Sequence, residues 1–132
     1  MPLQHLAYLS KVSHALGDAD IDAILATSRG NNQKRGITGH LQRHGDFFFQ
    51  ILEGPSDNLD QLLAKLHDDP RHEQIRLLFR EPMPRRSFAD WSMGFSPDRL
   101  RGARNDALEK LHAGGAVSTN RVLSLFLTLI AR

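Results

Sequence analysis

The first residue able to do chemistry is Gln50, a primary amide in the middle of Phe47-Phe48-Phe49-Gln50-Ile51-Leu52-Glu53-Gly54. Aromatic and aliphatic residues fill most of that run and predict a strand buried on both faces. On a period of two, Gln50 shares a face with Phe48 and Leu52, while Phe47, Phe49 and Ile51 share the other. A buried carboxamide costs roughly 1–3 kcal/mol unless it is hydrogen-bonded. It is therefore bonded to a neighbouring side chain or a buried water, or it is there to bond something flat and polar on its face. A second polar group, Ser28, Arg29, Asn31 and Asn32, closes a helical pattern upstream. Clustered amides suit a turn, and they also suit the edge of a ligand.

Other chemistries are thin or absent. A chain with no cysteine has no disulfides, thiolate metal sites or cysteine nucleophiles. His40 and His44 share a strand face but flank a turn, and no HExxH motif or paired-carboxylate site appears, so no metal is expected. The net charge is only +2. From Arg80 to Arg104, six arginines (80, 85, 86, 99, 101 and 104) stand against Glu81, Asp90 and Asp98. That run is predicted to be a solvated face rather than a contact for nucleic acid. The opening residues lack a basic and apolar leader pattern, and the longest apolar run is too short for a bilayer. A cytoplasmic protein without membrane contact is the expectation.

At 132 residues one domain with a real core is expected. Leu3 to Ser10 alternates as a strand. Ile21, Ile24, Leu25 and Ser28 lie on one helix face running to about Asn31. Gly36 to Arg43 predicts a second strand, and His44-Gly45-Asp46 the turn onto the Gln50 strand. Ser56 or Asp57 caps a second helix carrying Leu59, Leu62, Leu63 and Leu66, which Pro70 stops. Further strands are expected over about Gln74–Arg80 and Phe88–Phe95. The order is βαββαββ, an α+β ferredoxin-like sheet with both helices on one face. Two more helices, Asp98 to about His112 and Ser118 or Thr119 to Arg132, should cover the other face.

Taken together, Tyr8 with Ser10, Ser28-Arg29-Gly30-Asn31-Asn32, Gly36-Ile37-Thr38-Gly39, Gln50-Ile51-Leu52-Glu53-Gly54, Asp69-Pro70-Arg71-His72 and Trp91-Ser92-Met93-Gly94-Phe95 resemble the BLUF domain, the sensor of blue light using FAD. The resemblance covers residues 1–96, with 97–132 as a C-terminal helical extension of the kind found in short BLUF proteins. It implies a non-enzymatic photoreceptor binding FAD non-covalently, or FMN or riboflavin when overexpressed. The ring would lie between the two helices, sandwiched by Ile24 and Leu66, residues that are otherwise plain core. Asn32 would bond the ring's edge beside Ser28, Arg29 and Asn31. Lys65, Asp69 and Arg71 would lie near the pyrimidine edge and the phosphate chain, although Lys65 and Arg29 also read as ordinary exposed cations.

The same resemblance makes Tyr8 the electron donor and Gln50 the relay to the flavin. Strand alternation allows Tyr8 and Gln50 to face the same side, and a buried phenol wants a partner. Trp91 and Met93 would compete for the space beside Gln50 and carry the switch outward, or simply fill the core. Two other functions stay open at this point. One is an acylphosphatase-like hydrolase using Arg29 with Asn31 or Asn32. The other is a light-independent ligand-binding or oligomerisation module. Finally, the C-terminal helix is apolar nearly all round from Val122 to Ile130, so at least two or three side chains should stay exposed. It is expected to join a homodimer or larger homo-oligomer, or to dock a downstream protein, unless the preceding helix covers it.

Overall fold

A computed structural model describes residues 3–12, 18–44, 47–68, 72–87, 94–96, 103–114 and 117–130. The elements follow in the order β1 (Leu3–Val12), α1 (Asp18–Arg35), β2 (Thr38–His44), β3 (Phe47–Pro55), α2 (Ser56–Asp68), β4 (His72–Pro82), β5 (Gly94–Ser96), α3 (Ala103–Ala113) and α4 (Thr119–Ile130). The sheet runs β4-β1-β3-β2-β5. Its first four strands pair antiparallel in the ferredoxin-like order, and β5 joins β2 in parallel. The predicted α+β class is therefore the observed one.

Strand alternation divides the core in two. Leu6, Tyr8, Leu41, Phe48 and Leu52 pack with Ile21, Ile24 and Leu25 of α1 and Leu59 of α2 on the front face. Ala7, Leu9, Phe47, Phe49, Ile51 and Phe79 pack with Leu108 of α3 and Val122 and Phe126 of α4 on the back. β3 is buried on both faces because both are covered. The β2–β3 approach requires Gly39, where a Cβ would lie 2.2 Å from the Ile51 carbonyl oxygen.

Several boundaries differ from the sequence reading. The first helix does not end near Asn31 but continues to Arg35. Gly30 weakens it, at a cost of about 1 kcal/mol, but the helix has a better stop one turn later. Gly36 adopts φ +65° and the Ile37 amide donates to the Asn32 carbonyl at 2.9 Å, the six-to-one bond of a Schellman cap. Ile37 is buried, which anchors the cap. Asn58 of α2 donates to the Arg35 carbonyl at 2.6 Å, tying the two helices together. Consequently β2 begins at Thr38 rather than Gly36. β4 is longer than expected, with two register shifts against β1 and Gln74 at φ 48°.

The arginine run is not wholly a solvated face. Arg80 donates to Gln4 at 2.7 Å, Asp60 at 2.6 Å and Ser56 at 3.0 Å. Arg86 donates to Thr38 Oγ1 at 2.9 Å and to the Glu53 carbonyl at 3.1 Å. These two guanidiniums are internal ties, while Arg85 is exposed. On α4, Val122 and Phe126 are buried, Leu123 and Leu125 are half-buried, and Leu127 stays 55% exposed. Among the described side chains of α4, Leu127 is the large apolar one that lies in solvent, and the burial of Leu129 and Ile130 lies outside the described residues. No helix among the described residues is long and apolar enough to cross a membrane.

Candidate functional site

One cross-strand row on the front face builds the floor of the site. Register pairs Tyr8 with Leu77 and with Gln50, Gln50 with Leu41, and Leu41 with Phe95, so the row spans all five strands. Tyr8 is fully buried and Gln50 nearly so. The phenol donates a hydrogen bond to Gln50 Oε1. Each group thereby supplies the partner that burial demands of the other.

Above this floor lies a partly open cavity lined by Ile24, Ser28, Asn32, Leu41, Gln50, Leu62 and Leu66. Ile24, Ser28 and Asn32 stand four residues apart on α1 and form one wall. Leu62 and Leu66 repeat the spacing on α2 and form the opposite wall. The walls are mostly apolar, and a hydroxyl and two carboxamides converge between them. A flat heteroaromatic ring with apolar faces and a rim of donors and acceptors fits this lining.

Five of the residues singled out in the sequence therefore meet at one cavity: Ile24, Ser28, Asn32, Gln50 and Leu66. Tyr8 joins them through Gln50. Arg29 and Lys65 are exposed and Asn31 half-buried, and none of the three lines the cavity. Asp69, Arg71, Trp91 and Met93 lie outside the described residues. Leu41 and Leu62 were missed. The signal for Leu41 was its place in the hairpin opposite Gln50; that for Leu62 was its helical spacing from Leu66. Arg29, Asn31 and Asn32 lie within α1 and make no anion-binding loop, which removes the structural basis for an acylphosphatase-like hydrolase. His40 and His44 are buried on the back face, and no group of three metal-binding side chains occurs among the described residues.

The profile of one family, described as BLUF, sensors of blue-light using FAD, matches residues 3–94. The chain belongs to the BLUF family. It is 34% identical over 93 residues to the photoactivated adenylate cyclase subunit beta of Euglena gracilis, covering 69% of this chain and 11% of that one. Against BlrB, a BLUF protein solved in its dark state, the TM-score is 0.79 at 35% identity, over 98% of this chain and 96% of the other. A bacterial light-regulated adenylyl cyclase matches with a TM-score of 0.72 at 33% identity, over 83% of this chain and 32% of its own. The chain thus spans about a tenth of the curated cyclase subunits it matches, and nearly all of BlrB. BLUF is a family of flavin-based blue-light sensors. The cavity suits its cofactor: apolar walls for the two faces of an isoalloxazine ring, with Ser28, Asn32 and Gln50 for its edge.

Proposed function

We propose that this chain is a blue-light photoreceptor that binds FAD non-covalently and signals through a protein partner. The observation that carries the reading is the Tyr8–Gln50 hydrogen bond at the floor of the amide-lined cavity. Bound there, the flavin supplies blue-light absorption and a site that accepts one electron and one proton. Tyr8 would be the donor of both, and Gln50, bonded to its hydroxyl, would relay the proton. Gln50 would change tautomer or orientation before both return to Tyr8, so that nothing is consumed and only hydrogen bonds differ afterwards.

In this reading Ile24 and Leu66 sandwich the ring, and Ser28 and Asn32 hold its edge beside Asn31 and Arg29. Lys65, Asp69 and Arg71 serve the pyrimidine edge and the phosphate chain. Trp91 and Met93 carry the change along the fifth strand. Residues 1–96 form the sensor and 97–132 its helical extension. The partner belongs with that extension: Leu127 is 55% exposed beside half-buried Leu123 and Leu125, a site for a homodimer, a larger homo-oligomer or a downstream protein. The cyclase relatives supply the analogy for an effector. Light scattering on the purified chain tests the self-association. A cytoplasmic setting is part of the proposal, tested by cell fractionation.

The deciding measurement is the absorption spectrum before and after blue light. The wild type should purify yellow and show a reversible red shift, and the apoprotein should retain FAD in preference to FMN on titration. Tyr8→Phe should stay yellow and lose the shift, because the fold needs the ring and the photochemistry needs the hydroxyl. A Tyr8→Phe protein that shifts normally would remove Tyr8 from this role.

A further inference from the structure

The back of the sheet carries a second buried glutamine. Gln42 is fully buried beneath α4. Its Nε2 donates to the Phe126 carbonyl at 2.9 Å, and its Oε1 pairs with His44 Nε2 at 2.8 Å. The carbonyl can only accept, so the amide's orientation is fixed. His44 must then be the donor to Oε1. A buried chain of two hydrogen bonds therefore runs from β2 into the backbone of α4.

Its position relative to the front-face row matters. Register places Arg76, Leu9, Phe49, Gln42 and Ser96 in one row across the five strands. Every member is the chain neighbour of a member of the row that holds Tyr8 and Gln50. Phe126 is gripped twice by this back row. Its carbonyl takes the Gln42 bond, and its ring stands edge-on to Phe49 at 4.8 Å and 86°. Gln42 adjoins Leu41 and Phe49 adjoins Gln50, the two residues that floor the cavity. Arg76, at the far end, donates to the His112 carbonyl of α3 at 3.4 Å. Gln50 is thus the chain neighbour of Phe49 and reaches Gln42 through Leu41; Phe49 and Gln42 are the two back-row residues that hold Phe126.

We propose that Gln42 is a positioning residue, the joint by which the sheet holds α4, and that the switch at Gln50 reaches α4 by weakening this joint. The coupling half rests on the photoreceptor reading above; the joint itself does not. A ring contact tolerates small slides because dispersion is non-directional, whereas a hydrogen bond weakens steeply with misalignment. The bond is thus the part of the grip most responsive to a small strand movement.

The test uses the flavin-loaded full chain, with hydrogen exchange of the 119–130 segment and the absorption spectrum, each in darkness and under blue light. Gln42→Met keeps the volume and removes the amide. Gln42→Leu, also apolar but shorter and branched, removes the same donor without adding a charge, so it reads the same joint should Gln42→Met fail to fold. The dark exchange of α4 should rise roughly fivefold in either variant, the worth of about one buried hydrogen bond. The light-induced increment seen in the wild type should shrink, and the flavin's red shift should remain. Dark exchange within about twofold of wild type, well under one hydrogen bond, overturns the joint. A light increment of full size in the variants overturns the coupling. A wild type without a red shift overturns the photoreceptor reading instead, and the dark comparison still judges the joint.

Discussion

Both faces of the sheet bury a glutamine, and the two are used differently. On the front, Gln50 accepts from the Tyr8 phenol and looks into a cavity between two helices. On the back, Gln42 has a protein partner at each end of its amide, and α4 is packed directly over it. A buried amide bonded at both ends to protein rigidifies a core. One that lines an opening beside a titratable phenol is available to a ligand. Burial and residue type are the same in the two cases, so what separates them is the surface each amide faces: a packed helix for Gln42, the wall of a cavity for Gln50. Perturbing the back face should therefore move stability and leave the flavin chemistry alone, and perturbing the front should do the reverse.

The largest expected effect is on the back. Phe126 is fully buried between Phe49 and His40, with ring contacts at 4.8 and 5.7 Å. Phe126→Ala should lower unfolding stability by about 3–5 kcal/mol, measured by urea denaturation, while the folded fraction keeps its flavin spectrum. A loss below about 1 kcal/mol, far under that of a filled core site, would mean that α4 is not part of the core.

Next comes a pH effect on the same face. His40 is 4% exposed, and burial lowers its pKa from 6.5 to about 4. Phe126 and the register partner Ile51 adjoin it. Two carboxylates on that face are engaged elsewhere: Glu53 accepts from Thr38 Oγ1 at 3.1 Å and the Ser87 amide at 2.6 Å, and Glu81 accepts from Thr119 of α4; His44 lies further along β2, against Gln42. The folded state therefore binds fewer protons than the unfolded chain between these two pKa values. Stability is full above about pH 6.5, falls as pH drops towards 4, and levels off below, a loss of up to roughly 3 kcal/mol. As pH falls from 7 towards 4, the urea midpoint of wild type should drop relative to that of His40→Leu, which lacks the titrating ring. A constant gap would mean that His40 is not the titrating group.

The front face was the more legible of the two in the sequence, for a physical reason. Strand alternation has a period of two and both faces of β3 are apolar, so the partition of Phe48, Gln50 and Leu52 from Phe47, Phe49 and Ile51 follows from spacing alone. Leu62 and Leu66 lie on one helical stripe. The end of α1 was hidden: Gly30 and two asparagines imitate a turn, and only the tertiary anchoring of Ile37 and Asn58 carries the helix to Arg35. Gln42 was illegible as well. A glutamine at a strand position reads as a solvent-facing residue unless the element that covers it is known, and α4 comes eighty residues later. Long-range partners of buried polar groups are what a single sequence hides.

That hidden helix end sharpens the last prediction, the smallest in effect. If α1 stopped near Asn31, Asn31 and Asn32 would share a flexible turn and contribute alike to ligand binding. Because α1 continues, the two side chains point about 100° apart around the helix axis. Asn32 follows Ile24 and Ser28 on the stripe that lines the cavity and is 1% exposed, while Asn31 is half-buried off that stripe. The Schellman bond from Ile37 to the Asn32 carbonyl holds that residue's backbone, so its amide is presented without further ordering. Asn32→Ala should weaken flavin affinity by roughly tenfold, the upper range of one neutral hydrogen bond. Asn31→Ala should stay within about twofold, below the worth of such a bond. Neither should shift the urea midpoint of the flavin-free protein as Phe126→Ala does. Fluorescence titration of both apoproteins with FAD reads the difference. Equal losses would return Asn31 and Asn32 to a shared turn and undo the assignment of the α1 wall.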